Sequence, residues 1–181
     1  MEKVAIDEVE TQNSPLGVHS VRKPVSSALG TEHFAMNYFE LQPGESFSGG
    51  LHTHHDQEEV FYVLTGAVEF EVLASQRDAE RPNEDQSDPG LGDLSERDEV
   101  PVEAGELIRF APGEYQTGWN RGDEPVRGLA LGAPGAQHDW DELESIVDCR
   151  ECGEKTPHAT TIKENGRFGL TCNECGTAFE L

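Results

Sequence analysis

Apolar and polar residues alternate with a period of two along much of the chain, the pattern of strands with one buried and one solvated face. In residues 67–73, Val68, Phe70 and Val72 alternate with two glutamates. Turn residues separate further short segments of this kind, at His33–Leu41, Glu59–Val63, Val100–Glu103, Leu107–Phe110, Tyr115–Trp119 and Val126–Leu131. The pattern predicts an all-β fold, an antiparallel sandwich or barrel.

The segments on either side of these strands have weaker patterns. Residues 1–30 are predicted to form an N-terminal arm with strands near Val4–Val9 and Gly17–Lys23. Residues 138–147 are predicted to form a short linking helix that begins at an Asp139 N-cap. Its apolar side chains share one helical face, namely Trp140, Leu143 and Val147.

Residues 75–99 interrupt the strand pattern with nine acidic residues, three arginines and few apolar residues. Such a composition buries too little apolar surface to offset its loss of conformational entropy. We predict a disordered acidic insertion. The alternative is a lid over a functional site, since long loops often serve that purpose.

The overall charge is strongly negative, with 36 acidic and 13 basic residues and a formal net charge of −23. Only four of the basic residues are lysines, Lys3, Lys23, Lys155 and Lys163. This composition is either that of an acidic cytosolic protein or, as we favour, that of a salt-accumulating halophile of haloarchaeal type, because salt screens the self-repulsion. It argues against binding to nucleic acid or to an anionic membrane.

The first residues lack the basic and apolar regions of a secretory signal, and no stretch approaches the ~20 apolar residues of a membrane-spanning helix. We therefore expect a cytoplasmic protein. Its 181 residues fit one domain plus a small appendage.

A run of histidines and acidic residues, 52–59, offers candidate metal ligands. His52 and His54 are two residues apart, so on a strand both point to the same side. The following turn can return Glu59 to them, which completes a set of two histidines and one carboxylate that holds Fe²⁺ and related ions with open coordination positions. The simpler interpretation is a group of surface histidines that bind nothing.

The spacing His52-x-His54-x₄-Glu59-x₆-Gly66 resembles motif 1 of the cupin superfamily, and the run from Gly105 to Asn120 resembles motif 2. Ala111 stands at the proline position of motif 2, and Gln116 at its histidine. That histidine is the fourth metal ligand in the family. A glutamine oxygen is a harder and weaker ligand, so Gln116 is the least secure member of the set.

The resemblance implies a jelly-roll β-barrel over residues 31–137, with the motif residues inside it. It implies a mononuclear barrel site for Fe²⁺, Mn²⁺ or Zn²⁺, held by His52, His54, Glu59 and Gln116. It also implies pairing into a homodimer through edge strands. Motif 2 offers four further candidate substrate contacts that equally suit packing or turns: Arg109, Tyr115, Trp119 and Asn120.

All four cysteines lie in residues 148–181, as the pairs Cys149/Cys152 and Cys172/Cys175. Each Cys-x-x-Cys pair is followed by a glycine, and two such turns can present four thiolates to one Zn²⁺. Between the pairs, Asn165-Gly166 predicts a type I′ hairpin turn. The segment resembles a zinc ribbon. Disulfides and a thioredoxin-like redox pair are the alternatives, and neither suits two such pairs without a secretory signal.

Two functions of different classes follow. The first is a metal-binding cupin enzyme that acts on an oxygenated small molecule, with dioxygenase-, isomerase- or cyclase-like chemistry. The second is a non-catalytic cupin that senses a small ligand and docks on a protein partner through its ribbon. No catalytic nucleophile or nucleotide-binding motif is evident in the sequence.

Overall fold

The computed structural model describes residues 1–77 and 91–181, and these residues form two antiparallel β-sheets. The strands are β1 (Val21–Pro24), β2 (Ala35–Leu41), β3 (His52–His54), β4 (Glu58–Thr65), β5 (Ala67–Leu73), β6 (Arg97–Glu103), β7 (Leu107–Phe110), β8 (Gln116–Trp119), β9 (Val126–Ala133), β10 (Leu143–Asp148), β11 (Lys155–Ile162), β12 (Phe168–Cys172) and β13 (Ala178–Glu180). Two short helices, α1 (Val25–Leu29) and α2 (Ala74–Arg77), and 3₁₀ turns at Ile6–Glu8 and Trp140–Glu142 complete the elements.

One sheet has five strands in the order β1-β2-β9-β4-β7, and the other has eight in the order β13-β12-β11-β10-β3-β8-β5-β6. Every pair of neighbouring strands is antiparallel. The prediction of an all-β antiparallel fold is therefore confirmed. The arm contributes β1, which lies at the edge of the five-stranded sheet beside β2.

The main core lies between the two sheets and consists of the inward side chains of their strands together with Phe47, which lies between β2 and β3. Phe47 is its centre, with ring centroids 5.0 Å from those of Phe39 and Phe61 and 6.1 Å from that of Phe70. The rest of the cluster comprises Leu41, Val63, Val68, Val72, Val102, Phe110 and Val126. Alternation along the strands thus places one row of side chains of each sheet in the core.

Gly118 on β8 lies close against the aromatic side chains of this core. A Cβ at Gly118 would lie 2.6 Å from Cε1 of Phe70 and 2.9 Å from Cδ2 of Phe47. We expect Gly118→Ala to lower the free energy of unfolding by ~1 to 3 kcal/mol, the usual cost of overpacking. Chemical denaturation measures this, with Gly122→Ala as the control because its Cβ would meet Asn120 Oδ1 at an ordinary 3.5 Å. Equal stability of the two variants would contradict the expectation.

The prediction of a linking helix over residues 138–147 is wrong beyond the first turn. Asp139 does cap a helical turn, accepting a hydrogen bond from the Asp141 amide, but the turn ends at Glu142 and strand β10 follows. Both faces of β10 are covered: Leu143 faces a cavity, and Ile146 packs in a second apolar cluster with Leu51. Burial on both faces removes the alternation of a strand, so apolar residues recur at the spacing of a helix.

The strand predicted at Val4–Val9 is also wrong, because residues 6–8 form a 3₁₀ turn. Lys23 holds this turn, since its ammonium donates to the carbonyl of Ile6 at 2.9 Å. The segment pairs with no strand of the described residues, so its backbone lacks the ladder that a strand requires.

The hairpin predicted around Asn165-Gly166 is present between β11 and β12, but its turn is not type I′. A type I′ turn needs two consecutive residues with positive φ, and here only Gly166 has one, at 78°. The Gly166 amide donates to the carbonyl of Lys163 at 2.8 Å. This agrees with a three-residue hairpin loop that ends in a glycine with positive φ.

The predicted acidic insertion is described only at its two ends. Residues 74–77 form α2, and β6 begins at Arg97, earlier than the predicted Val100. The prediction of disorder falls mainly on residues 78–90, which lie outside the described residues. In the described part of the chain, no helix combines the length and apolar character that crossing a membrane requires.

Candidate metal centres

His52 and His54 lie on β3 and point to the same side, with their ring centroids 5.2 Å apart. Nδ1 of His52 lies 3.0 Å from the carbonyl oxygen of Gly50. A hydrogen bond there puts the imidazole proton on Nδ1 and leaves the Nε2 lone pair free. The two imidazoles therefore share one side of the strand, as their spacing predicts, and the Gly50 carbonyl sets the tautomer of His52.

Glu59, near the start of β4, reaches across from the opposite sheet to the two imidazoles. Its Oε1 lies 3.5 Å from Nε2 of His54. One ligand atom from each of His52, His54 and Glu59 lies within 4.8 Å of the others, close enough to share one ion. The motif residues thus come together although they lie in different sheets.

Gln116 begins β8, where it pairs directly with His52 on β3. Its amide nitrogen lies 2.7 Å from Oε2 of Glu59 and 3.4 Å from Nε2 of His52, and its amide oxygen is buried without a hydrogen-bond partner among the described residues. Rotation of the amide by half a turn exchanges the two atoms and presents the oxygen to the same space. Gln116 therefore occupies the fourth position around the site.

Burial dominates the electrostatics of this group. Burial, followed by the nearby His52, His138 and His55, lowers the pKa of His54 to about 2, so the imidazole is neutral and its lone pair is available. Burial also raises the pKa of Glu59, against the opposing effects of His52 and Gln116. A carboxylate kept from water beside neutral ligands is stabilised by a cation. The donor set therefore fits a divalent metal ion.

His138 belongs to the same site, although no motif indicates it. Its ring centroid lies 4.6 Å from that of His54 and 4.5 Å from that of Trp140, and burial lowers its pKa. Residue 138 precedes β10, and the pairing of β10 with β3 carries it to the histidines. His55, by contrast, is turned away, with Nε2 3.8 Å from Oε1 of Glu144.

The other polar candidates of motif 2 have structural contacts. Arg109 donates to Glu58 at 2.5 Å near the surface, and the buried Asn120 donates to the carbonyls of Leu41 and Glu124 at 2.9 Å each. Tyr115 is buried and its hydroxyl donates to Glu144. Arg121 lies over the Trp119 ring at 4.8 Å. None of these four candidates lines the cavity beside the histidines.

The four cysteines form a second candidate centre at one end of the eight-stranded sheet. The Sγ atoms of Cys149 and Cys175 lie 3.6 Å apart, and those of Cys152 and Cys172 lie 3.9 Å apart. Sulfurs at ~2.3 Å around a tetrahedral Zn²⁺ are about 3.8 Å apart, whereas a disulfide needs about 2.05 Å. The described cysteines are free thiols in an arrangement that fits zinc.

Both cysteine turns are built alike. The amide of Gly153 donates to the carbonyl of Cys149, and that of Gly176 to the carbonyl of Cys172, each at 2.9 Å. The two glycines have φ of 74° and 76°. A hydrogen bond from the Thr156 hydroxyl is the main cause that lowers the pKa of Cys172 to about 6, which favours the thiolate that a metal needs.

Residues 149–181, which carry the cysteines, form a ribbon module that is continuous with the barrel. Strand β10 pairs with β3 on one side and with β11 on the other, so the histidines and the ribbon module share one sheet. The Glu144 carboxylate on β10 accepts hydrogen bonds from Tyr115 of the barrel and from Asn173, which follows Cys172.

The two facing sheets, with histidines and a carboxylate between them, form a jelly-roll β-barrel, and solved structures share this fold. The chain is similar over 99% of its length to 92% of a sugar phosphate isomerase of the cupin superfamily from Silicibacter pomeroyi, with a TM-score of 0.55 and 18% identity. A putative sugar phosphate isomerase from Acidithiobacillus ferrooxidans has a TM-score of 0.53 and 19% identity over 96% of this chain and 84% of that one.

The polyketide cyclase RemF from Streptomyces resistomycificus has a TM-score of 0.53 and 21% identity over 76% of this chain and 81% of the other. At this identity the likeness shows the fold alone, and it confirms the predicted cupin barrel. No family model and no curated protein sequence matches the chain.

Proposed function

We propose that the protein is a metal-dependent cupin enzyme that acts on an oxygenated small molecule in its barrel. The observation that carries the proposal is the convergence of His52, His54, Glu59 and Gln116 beside a cavity. The structural neighbours named as isomerases and a cyclase support this general class. Isomerase-, cyclase- or dioxygenase-like chemistry is the finer form of the proposal.

In this proposal, the two imidazoles, the carboxylate and the Gln116 amide oxygen hold Fe²⁺, Mn²⁺ or Zn²⁺. Bound there, the ion would act as a Lewis acid toward an oxygen of the substrate. The oxygen ligand in place of a third histidine favours ions that accept oxygen, such as Mn²⁺ and Fe²⁺. The Gly50 carbonyl orients His52, and apolar side chains such as Phe61 line the cavity beside the site.

The test is metal analysis of the full chain purified in high salt. The proposal expects two metal ions per chain, one of them zinc held by the four cysteines of the ribbon module. A single zinc per chain, with no second ion after incubation with Mn²⁺ or Fe²⁺, would exclude the metal enzyme. The ligand-sensing alternative, with its protein partner at the ribbon module, stays a prediction, and it differs by a lack of turnover.

Gln116→His tests the fourth ligand. If the amide faces the metal, an imidazole there should tighten binding of the barrel ion roughly tenfold, about 1.4 kcal/mol, because it is a stronger donor. Competition against a chromophoric chelator measures the affinity. Gln42→His is the matched control, since residue 42 is exposed in the turn after β2. Unchanged affinity in Gln116→His would remove this residue from the ligand set.

A further inference from the structure

A cavity of about 330 Å³ adjoins the histidine site, and three parts of the chain form its walls. The barrel contributes the candidate ligands His52, His54 and Glu59 together with His138. The N-terminal arm contributes residues 13–16 and Arg22, and the ribbon module closes another side. Segments that flank the barrel in sequence thus form part of the cavity wall.

The wall from the ribbon module is largely apolar. It consists of Thr160, Ile162, Phe168, Leu170 and Leu181. The Phe168 ring lies 5.7 Å from that of Trp140, which also lines the cavity. Apolar surface facing a cavity favours a ligand with an apolar part.

Arg22 on β1 also lines the cavity and contributes a positive charge to it. Its side chain is half-buried, and no carboxylate among the described residues pairs with it. The only hydrogen bond of its guanidinium within the described residues is a long one, 3.5 Å from Nη1 to the carbonyl of Gln12. Most of its donors are therefore unused within residues 1–77 and 91–181.

This lack of a partner is unusual in a chain with nearly three acidic residues for each basic one. Other arginines, Arg109, Arg121, Arg127 and Arg167, each pair with a glutamate. Burial lowers the pKa of Arg22, and its charge in turn contributes to lowering the pKa of His19 and His138. Arg22 therefore brings a positive charge without a carboxylate partner among the described residues to the cavity of a strongly negative protein.

A guanidinium with free donors in a partly desolvated cavity is suited to a planar or tetrahedral oxyanion, which it binds through paired hydrogen bonds. We propose that the cavity binds an organic anion whose carboxylate or phosphate pairs with Arg22 and whose apolar part lies against the ribbon module. This proposal rests on the proposed function, since the same molecule would present an oxygen to the barrel metal.

The test compares the binding of potassium benzoate, acetate and inorganic phosphate to the metal-loaded full chain by calorimetry at constant ionic strength. Benzoate should bind at least ~10-fold more tightly than acetate because its ring buries apolar surface. Arg22→Gln should weaken benzoate at least ~10-fold, the usual range for a charged hydrogen-bonding partner. Arg127→Gln, which removes an arginine paired with Glu40, should leave the affinity unchanged.

Arg22→Lys separates the effect of the positive charge from that of the planar guanidinium geometry. It also serves as a second variant in case Arg22→Gln fails to fold. Lysine should recover part of the affinity, since it keeps the charge but loses the paired donors. If no anion binds, or if Arg22→Gln and Arg127→Gln bind benzoate equally, the anion site is overturned. Equal affinity for benzoate and acetate overturns the role of the apolar wall, and phosphate binding that depends on Arg22 identifies a phosphate as an accepted head group.

Metal content of the same samples distinguishes this proposal from the proposed function. Arg22→Gln should retain the barrel ion, because Arg22 is not among its candidate ligands. A barrel without metal, together with benzoate binding that depends on Arg22, would exclude the enzyme and keep the anion site. A barrel that holds metal, together with benzoate binding that does not depend on Arg22, would exclude the anion site and keep the metal enzyme.

Discussion

His54→Ala should remove the barrel metal and leave the zinc of the ribbon module in place. His54 is a buried, neutral imidazole beside the Glu59 carboxylate, so its loss takes away one of the candidate ligands. Loss of a residue that only supports a ligand costs about 10- to 100-fold in affinity, and loss of a ligand should cost at least ~100-fold. The metal content, measured by elemental analysis, should fall from two ions per chain to one.

The matched control is His33→Ala, which removes an exposed histidine outside the site. It should keep both ions. Retention of the barrel ion in His54→Ala would contradict the ligand assignment. Loss of both ions would indicate unfolding, which far-ultraviolet circular dichroism detects independently.

Glu59→Gln gives a sharper form of the same test because it keeps the shape of the side chain. Burial raises the pKa of Glu59, so without metal its ionised form at neutral pH is a cost to the folded state. The metal-free variant should therefore unfold at a temperature no lower than the metal-free parent, while its affinity for Mn²⁺ falls at least ~100-fold. A lower unfolding temperature without metal would mean that Glu59 serves the fold.

Cys172→Ser should unfold the ribbon module. Cys172 ends β12 and joins the four-sulfur cluster, and structural zinc supplies ~10 kcal/mol or more to small peptide sites. A segment of this size buries too little apolar surface to fold without such a contribution. Amides of β11 and β12 should lose protection from hydrogen exchange, and the zinc content should fall to zero.

The strands of the barrel core provide the internal reference for this experiment. Amides of β4 and β9, which pair far from the cysteines, should keep their protection in Cys172→Ser. Thr171→Ala, an exposed neighbour on β12, is the control variant. Zinc retention with full protection of β11 and β12 would show that the thiolate of Cys172 is not a ligand.

Local spacing explains why both candidate metal centres could be predicted from the sequence. The histidines are two residues apart on one strand, and each cysteine pair spans one turn closed by Gly153 or Gly176, so short-range geometry orients their side chains. The position of Gln116 came from its place in a longer motif, and the structure sets it beside His52. The assignment of zinc, the halophilic source and the homodimer stay predictions.

The positions of Arg22 and His138 in the cavity wall could not be predicted from the sequence, because neither residue belongs to a motif with characteristic spacing. Arg22 reaches the cavity through the pairing of β1 with β2, and His138 through the pairing of β10 with β3. Strands β10 and β3 lie far apart in the chain, whereas β1 and β2 are consecutive strands whose pairing no motif marks. The misassigned helix has the same origin, since burial on both faces of β10 hides its strand pattern.

The sequence by itself determined the all-β class, the two candidate sets of metal ligands and the strong negative charge, because each depends on composition or on neighbours along the chain. The tertiary structure decided that the ribbon module extends the sheet of the histidines, that it walls the cavity, and that Arg22 faces the same space. These relations depend on which strands pair, and the spacing of residues within one segment does not specify that pairing.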